Sequence, residues 1–338
     1  MTGPPIPAEV WGAYPPDHRP SAAPSWLGNA GGSSGSDLWR YEASVGPLLL
    51  RAWPTDSGGP GRVDQVHRWL RHLRDLPYVA SPIPGRNGST WQFAAGRAWE
   101  LTVFLSGAAD TATPPLEPHL TAMFATMARV HRRLAATGTT GTSPGLAARL
   151  GELERLIDGE LATFRHLLDR SATDPLVPAA RRWLGLAESE AVRVVAPLRR
   201  AAGRPLALQA CLRDARPDHF LFDGDRLAGL VDFGAMGVDT AVADLARLLG
   251  ETVGQDIRSR SIALDAYATT RAEEGLVEPT VEELDALARF EAANAVLGGA
   301  RWVRWHFAEG RQFGDPDAVG RGLTRTTRRL EDWAGRAG

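Results

Sequence analysis

The amino-acid sequence predicts an α+β fold in two lobes, a small strand-rich lobe followed by a larger, mainly helical one. The chain has 338 residues, and at about 150 residues per domain this length is enough for two domains. Short strand-like segments dominate residues 26–106, whereas helical spacing dominates residues 107–338. A Pro- and Ala-rich segment, residues 108–118, begins the second region and marks the boundary.

The first lobe is expected to hold strands and one helix. Residues 1–25 are rich in Pro and Ala without periodicity, which predicts a loosely ordered arm. After it, alternating or β-branched segments predict strands, and apolar residues at helical spacing predict one helix. The expected strands are 25–29, 36–43, 48–53, 90–93 and 99–105, and the expected helix is 62–75.

The second lobe is expected to be helical apart from one hairpin. Helical patterns bounded by Gly, Pro or Thr cover 116–136, 145–170, 176–202, 239–251, 255–274, 280–310 and 315–334. Between the third and the fourth, strands 220–222 and 227–231 flank an Asp-Gly turn, which is a strong hairpin signal.

The composition excludes several function classes. All 38 basic residues are Arg, so lysine Schiff bases, a pyridoxal phosphate anchor and a Walker A lysine are absent. A single cysteine, Cys211, excludes an intramolecular disulfide and every multi-cysteine zinc site. Any phosphate must therefore be bound by Arg, backbone amides or a metal ion.

The charge and the hydropathy pattern favour a cytoplasmic protein without nucleic-acid or membrane partners. The net charge is −2, which gives no bulk attraction to nucleic acid or to an anionic membrane. The chain starts without the apolar core of a signal peptide, and no stretch approaches 18 consecutive apolar residues.

Polar residues concentrate around the predicted hairpin. Asp214 precedes its first strand, His219 stands at the entry to that strand, and Asp232 closes the return strand. A loop and a hairpin can bring these three side chains to one end, where they suit a divalent cation and a proton acceptor. Asp-Phe-Gly, eighteen residues after an Arg-Asp pair, is a specific combination.

These motifs resemble the catalytic and metal-binding loops of the aminoglycoside phosphotransferase and choline kinase-like family, which shares the protein kinase-like fold. The resemblance is specific mainly over residues 205–250. It implies a catalytic loop at 208–222 with Asp214 as the catalytic residue, Arg216 contacting the transferred phosphate, and a metal-binding segment at 231–234 with Asp232. Asp244 matches the family's structural Asp-Leu-Ala motif and is expected to hold backbone amides of the loop.

His219 stands where the family usually has Asn. Mg²⁺ prefers oxygen ligands, and imidazole suits Mn²⁺ or Zn²⁺ better. Three interpretations stay open: His219 is an unusual metal ligand, Asp218 or water replaces the missing oxygen, or His219 bonds loop carbonyls without any metal.

The first lobe resembles a nucleotide-binding lobe less closely. The run that would close over the phosphates is Gly31, Gly32, Ser33, Ser34 and Gly35. Arg51 occupies the strand position where related enzymes carry Lys or sometimes Arg, which assigns it to the α and β phosphates, with an exposed strand arginine as the alternative. The helix that follows should supply a Glu partner for Arg51, yet Asp64, Gln65 and Val66 offer none.

Backbone groups of the hinge segment Thr102, Val103, Phe104 and Leu105 would bond adenine.

The resemblance implies transfer of the γ-phosphoryl group of ATP, or of GTP, with Mg²⁺ or Mn²⁺, to a hydroxyl group of a small molecule by a monomer or homodimer. Candidate substrate residues are Asp218, Glu291, Trp302 and Trp305, although tryptophans of the core and solvated acids would fit the same pattern.

One rival to this function is a catalytically inactive pseudokinase that binds nucleotide or a small ligand. Another is a hydrolase, because Gly31–Gly35 fits G-x-S-x-G with Ser33 as nucleophile, but no helix is predicted directly after it.

Overall fold

The computed structural model describes residues 3–28, 35–55, 59–311, 313, 315 and 317–337. The chain divides into two compact units. The first contains Met1–Asp110 together with Asp218–Met236, and the second contains Thr111–Pro217 together with Gly237–Gly338. The hairpin that was expected within the helical region, and Asp232 just after it, thus belong to the strand-rich unit.

The strands agree closely with the expected ones in the first unit. The strands of both units together are β1 (Ser25–Gly28), β2 (Asp37–Ala43), β3 (Gly46–Ala52), β4 (Trp91–Ala94), β5 (Arg97–Val103), β6 (Ala108–Ala109), β7 (Thr139–Thr142), β8 (Pro205–Cys211), β9 (Phe220–Asp223), β10 (Arg226–Leu230) and β11 (Gly237–Asp239). The sequence did not predict β6, β7, β8 and β11.

The helices also follow the sequence pattern. They are α1 (Ala8–Gly12), α2 (Gly59–Leu70), α3 (Glu117–Leu134), α4 (Pro144–Arg155), α5 (Leu161–Arg170), α6 (Val177–Ala202), α7 (Ala241–Thr252), α8 (Ile257–Glu273), α9 (Val281–Val303) and α10 (Ala318–Ala337). The single helix expected over 145–170 is α4 and α5 joined by a π-helical turn, Leu156–Glu160, in which Gly159 has a φ of 148°.

The main sheet of the first unit has the order β1-β2-β3-β5-β4, with every neighbouring pair antiparallel. Its core includes Trp39, Leu50 and Leu101. The pairing of β3 with β5 places Arg51 directly opposite Glu100. In an antiparallel pair such directly opposed residues are close enough to interact.

The amino-terminal arm is not loosely ordered over its described part. Val10 and Tyr14 are fully buried in the core of the main sheet, and Arg86 donates from its backbone to the Ala13 carbonyl. Apolar and aromatic residues between the prolines cause this docking, because burying one such side chain stabilises by about 1.5–3 kcal/mol.

The remaining strands of the first unit form a small sheet, β10-β9-β6. The backbone N–H of Leu230 also donates to the carbonyl of Tyr78. The hairpin is therefore attached to the segment between α2 and β4, which fixes the start of the Asp232 segment.

The second unit is a helical assembly with the sheet β11-β8-β7. Helix α6 packs against α9 and α10, with Trp183 fully buried and its Nε1 donating to the Val296 carbonyl. Gly299 of α9 allows this approach, since a Cβ there would meet the Trp183 ring at 2.3 Å.

Within the described ranges, no helix is long and apolar enough to span a membrane.

Candidate active site

Arg51 of β3 lies at the centre of a polar cluster in the first unit. Its Nε donates to Ser36 Oγ at 3.1 Å, and its Nη1 is 3.8 Å from Glu100 Oε1. Its guanidinium also lies 4.5 Å from the ring centroid of Trp53. These contacts on one largely buried side chain fix the position of the guanidinium, which disagrees with the alternative of an exposed strand arginine.

Glu100 is bonded from the opposite side by helix α2. His67 Nε2 lies 2.6 Å from Glu100 Oε2, and His67 Nδ1 lies 2.8 Å from Thr90 Oγ1. Burial alone would raise the pKa of the Glu100 carboxyl, but the hydrogen bond from His67 and the charge of Arg51 bring this pKa below its usual value. Glu100 is therefore a buried carboxylate shared by a guanidinium and an imidazole.

Asp232 lies between Arg51 and His219. Its Oδ1 is 3.8 Å from Arg51 Nη2, and its Oδ2 is 3.8 Å from His219 Nε2. The Asp232 side chain is 42% exposed, while that of His219 is 10% exposed. Gly234 leaves room for the arginine, because a Cβ there would lie 2.8 Å from Arg51 Nη2.

The backbone at Asp232 is in the left-handed region, with φ 63° and ψ 67°. Non-glycine residues rarely adopt this conformation, and such strain is commonly found at functional sites. Here it turns the chain just after β10 and presents the carboxylate between Arg51 and His219.

The donors of this cluster fit a divalent cation only together with a phosphate ligand. No group of three or more His, Cys, Asp or Glu side chains suited to a metal occurs among the residues that the structure describes. Mg²⁺ is often bound by one or two carboxylates with the remaining positions taken by phosphate and water, and imidazole is a good ligand for Mn²⁺. Asp232, with or without His219, matches that incomplete set.

The loop that carries Asp214 is fixed by Asp244 in the second unit. Asp244 is fully buried, and its two carboxylate oxygens accept from the backbone N–H groups of Leu212 at 2.7 Å and Arg213 at 2.6 Å. His131 Nε2 lies 3.4 Å from the same carboxylate. The expectation that Asp244 holds loop amides is confirmed, and the bonds stabilise Arg213 at its left-handed φ of 63°.

Asp214 itself is paired with an arginine of α7. Arg247 Nη2 donates to Asp214 Oδ1 at 3.1 Å, and Arg247 Nη1 lies 3.3 Å from Glu251 Oε1. Arg247 therefore bridges the two carboxylates and orients Asp214.

Glu251 also forms ion pairs with two arginines of α10. Arg329 lies 3.1 Å and Arg325 lies 3.6 Å from Glu251 Oε2. Burial would raise the pKa of Glu251, but Arg329, Arg247 and Arg325 lower this pKa to about 2. Arg325 and Arg329 also line a cavity of about 1100 Å³, whose wall includes Thr113, Gly250, Gln255 and Arg328. A chain of ion pairs thus connects Asp214 with the wall of this cavity.

The residues predicted to bind nucleotide are described in part. Gly31, Gly32, Ser33 and Ser34 lie outside the described residues, so the phosphate loop and the rival serine nucleophile stay predictions. Gly35 has a φ of 72°, and its carbonyl accepts from Arg97. In the hinge segment, Thr102 and Val103 end β5, and the Phe104 amide already donates to the Pro47 carbonyl.

The predicted substrate residues are scattered. Glu291 forms a two-point ion pair with Arg260 at 2.6 and 2.8 Å, which occupies both of its oxygens. Trp302 and Trp305 pack edge to face at 5.4 Å beside Phe313. Asp218 and His219 lie in the 3₁₀ turn Pro217–His219, and Arg216 directly precedes it.

Sequence reasoning missed Glu100, His67, Arg247 and Glu251. Glu100 and His67 stand inside segments that were correctly assigned to a strand and a helix, where a polar residue is not unusual. Only the β3–β5 register and the docking of α2 bring them to Arg51.

Comparison with known proteins gives one family. A sequence model of the phosphotransferase enzyme family matches residues 25–287. No curated protein matches the sequence.

Similar solved structures share the fold. An aminoglycoside phosphotransferase from Alicyclobacillus acidocaldarius is 15% identical with a TM-score of 0.67, covering 99% of this chain and 95% of that one. A microcompartment-associated aminopropanol kinase is 15% identical with a TM-score of 0.58, covering 95% and 94%. A spectinomycin phosphotransferase in complex with ADP and spectinomycin is 10% identical with a TM-score of 0.56, covering 91% of each chain. The predicted α+β, kinase-like fold is confirmed.

Proposed function

Because the chain belongs to the phosphotransferase enzyme family, we propose that it transfers the γ-phosphoryl group of ATP to a hydroxyl group of a small molecule. The observation that carries the proposal is the placement of the exposed Asp232 carboxylate between Arg51 and His219, at 3.8 Å from each. A guanidinium beside a metal-binding carboxylate suits a polyphosphate with its cation.

In this proposal the first unit binds the nucleotide. Arg51 pairs with phosphate oxygens, and the hinge segment Thr102–Leu105 contacts the base. Asp232, with His219 or a nearby oxygen, would hold Mg²⁺ or Mn²⁺, and such an ion neutralises charge on the phosphates. GTP is the alternative donor.

The second unit supplies the proton acceptor. Asp214 orients the acceptor hydroxyl and takes its proton, while Arg247 keeps the carboxylate oriented. Arg216 contacts the transferred group. Positioning and charge stabilisation account for most of the catalysis in phosphoryl transfer, so the fixed loop matters more than the basicity of Asp214.

The cavity beside α10 is the proposed acceptor pocket. Its wall includes Arg325 and Arg329, which reach Asp214 through Glu251 and Arg247. The similar structures are named for aminoglycoside, spectinomycin and aminopropanol substrates, and we propose an acceptor from the same broad class of polar hydroxyl compounds.

The test is transfer of labelled phosphate from ATP to a panel of aminoglycosides, amino alcohols and sugars. The wild-type protein should label at least one class of acceptor, and Asp214→Asn should lower turnover by about 10²–10⁴-fold without weakening nucleotide binding. Asp169→Asn, in an exposed ion pair with Arg181, is the matched control and should leave turnover unchanged. Full activity of Asp214→Asn would contradict the proposal.

A pseudokinase is the second candidate, because His219 replaces the usual Asn and the chain has no Lys. It predicts metal-dependent nucleotide binding without transfer to any acceptor. The same assay, run beside a nucleotide-binding measurement, separates the two functions.

A further inference from the structure

We propose that Glu100 and His67 are positioning residues for nucleotide phosphates, and that through them helix α2 holds Arg51 in its binding position. The inference rests on the proposed function, since it assigns Arg51 to the phosphates. The glutamate expected on the helix is absent from α2. Glu100 of β5, bonded to His67 of α2, takes its place beside Arg51.

The first step of the argument is the strand pairing. Glu100 stands directly opposite Arg51 in the β3–β5 register, with the two side chains 3.8 Å apart. The carboxyl group is buried, and His67 and Arg51 keep its pKa below the ordinary value. A buried charge requires partners, so Glu100 constrains the guanidinium strongly.

The second step is the bond from the helix. His67 is 2% exposed and uses both ring nitrogens, one towards Glu100 Oε2 and the other towards Thr90 Oγ1. The imidazole leaves Glu100 Oε1 to Arg51. Glu100 therefore divides its oxygens between the helix and the phosphate-binding arginine.

The third step is the other end of the same helix. Arg62 Nη2 donates to the Gly234 carbonyl at 2.7 Å, and Gly234 lies two residues after Asp232. Helix α2 thus holds Arg51 through His67 and Glu100, and it holds the Asp232 segment through Arg62. A shift of the helix would change both groups together.

The test measures binding of a nonhydrolysable ATP analogue with Mg²⁺, and separately of adenosine, to the full chain. His67→Leu and Glu100→Gln should raise the Kd of the analogue at least ten-fold and leave the Kd of adenosine unchanged, because only phosphates contact Arg51. His67→Gln retains a donor and should stay within three-fold of wild type. Val66→Ala, a buried change on the same helix, is the control for lost stability and should leave both Kd values unchanged.

A double-variant comparison shows whether the two residues act through Arg51. In an Arg51→Gln background, His67→Leu should add no further loss of analogue binding. If Glu100→Gln does not fold, His67→Leu and His67→Gln decide the question alone.

Three results would overturn the inference. Unchanged analogue binding by His67→Leu would do so, as would equal losses for the analogue and adenosine, which indicate a merely structural role. Absence of analogue binding by the wild-type protein would instead remove the proposed function, and this inference with it.

Discussion

Asp244 shows how one buried side chain sets the geometry of the candidate catalytic loop. Its carboxylate accepts from two consecutive backbone amides, and it stabilises Arg213 in a left-handed conformation. Such a conformation costs of order 1–3 kcal/mol for a non-glycine residue. The two charge-assisted hydrogen bonds offset this cost and place Asp214 at the next position.

We predict that Asp244→Asn lowers the free energy of unfolding by about 1–3 kcal/mol and reduces phosphoryl transfer. The amide presents an N–H to one of the two backbone donors, so a buried donor loses its partner. Urea unfolding followed by tryptophan fluorescence measures the effect. Asp265→Asn, on the exposed face of α8, is the control, and equal stability of both variants would refute the role of Asp244.

At the residue scale the sequence can nominate candidate groups that share one motif, and it gives no signal for groups that strand pairing brings together. Asp214, Asp232 and Asp244 lie within thirty-one residues, counting from the first to the last, and their motif identified them. Glu100 is 49 positions from Arg51 along the chain, and only strand register places it opposite. One sequence contains no signal for that register.

Helices α7 and α10 are joined by ion pairs that converge on Glu251. Arg247 of α7 and Arg325 and Arg329 of α10 surround this one carboxylate. This arrangement fixes the guanidinium of Arg247, which bridges Glu251 and Asp214, and thereby orients the Asp214 carboxylate.

We predict an acid-sensitive contribution to stability from Glu251. Its pKa is about 2 in the folded protein, against an ordinary value of 4.5. As the pH falls, the Glu251 carboxyl is therefore protonated at a higher pH in the unfolded state than in the folded state. Its contribution to the free energy of unfolding is present above about pH 4.5 and is lost as the pH falls towards 2. The stability difference between wild type and Glu251→Gln should be large at pH 6 and should shrink below pH 4.5.

The control for this experiment is Glu154→Gln. Glu154 pairs with Arg199 at the surface, where an ion pair contributes only about 0–1 kcal/mol. Its stability difference should be small at every pH. A difference for Glu251→Gln that is the same at pH 6 and pH 3.5 would contradict the role of the network.

At the element scale, the long helices and the strands of the main sheet were predicted well, and the strands of the second unit were not. The strands β7, β8 and β11 form the sheet of the second unit and have three to seven residues. They lie next to helices or loops, whose sequence patterns obscure the strand signal. The amino-terminal arm was wrongly expected to be loose, because Pro and Ala richness conceals Val10 and Tyr14, which dock on the main sheet.

For the whole molecule, the candidate groups of the proposed function are divided between the two units. The first unit contains Arg51, His219 and Asp232, and the second contains Asp214 and Arg247. The chain has no Lys, so in the proposed function arginine binds the phosphates, which its guanidinium can do through two parallel hydrogen bonds.

Thermal unfolding with ATP and Mg²⁺, of wild type and of Asp232→Asn, tests the central claim most directly. Asn tolerates the left-handed backbone of residue 232, so the variant should fold and lose only the carboxylate. The account predicts that ATP with Mg²⁺ raises the Tm of wild type, that omitting the metal weakens the effect, and that the variant shows little shift. An equal shift in the variant, or none in wild type under any combination of ATP, GTP, Mg²⁺ and Mn²⁺, would contradict the claim.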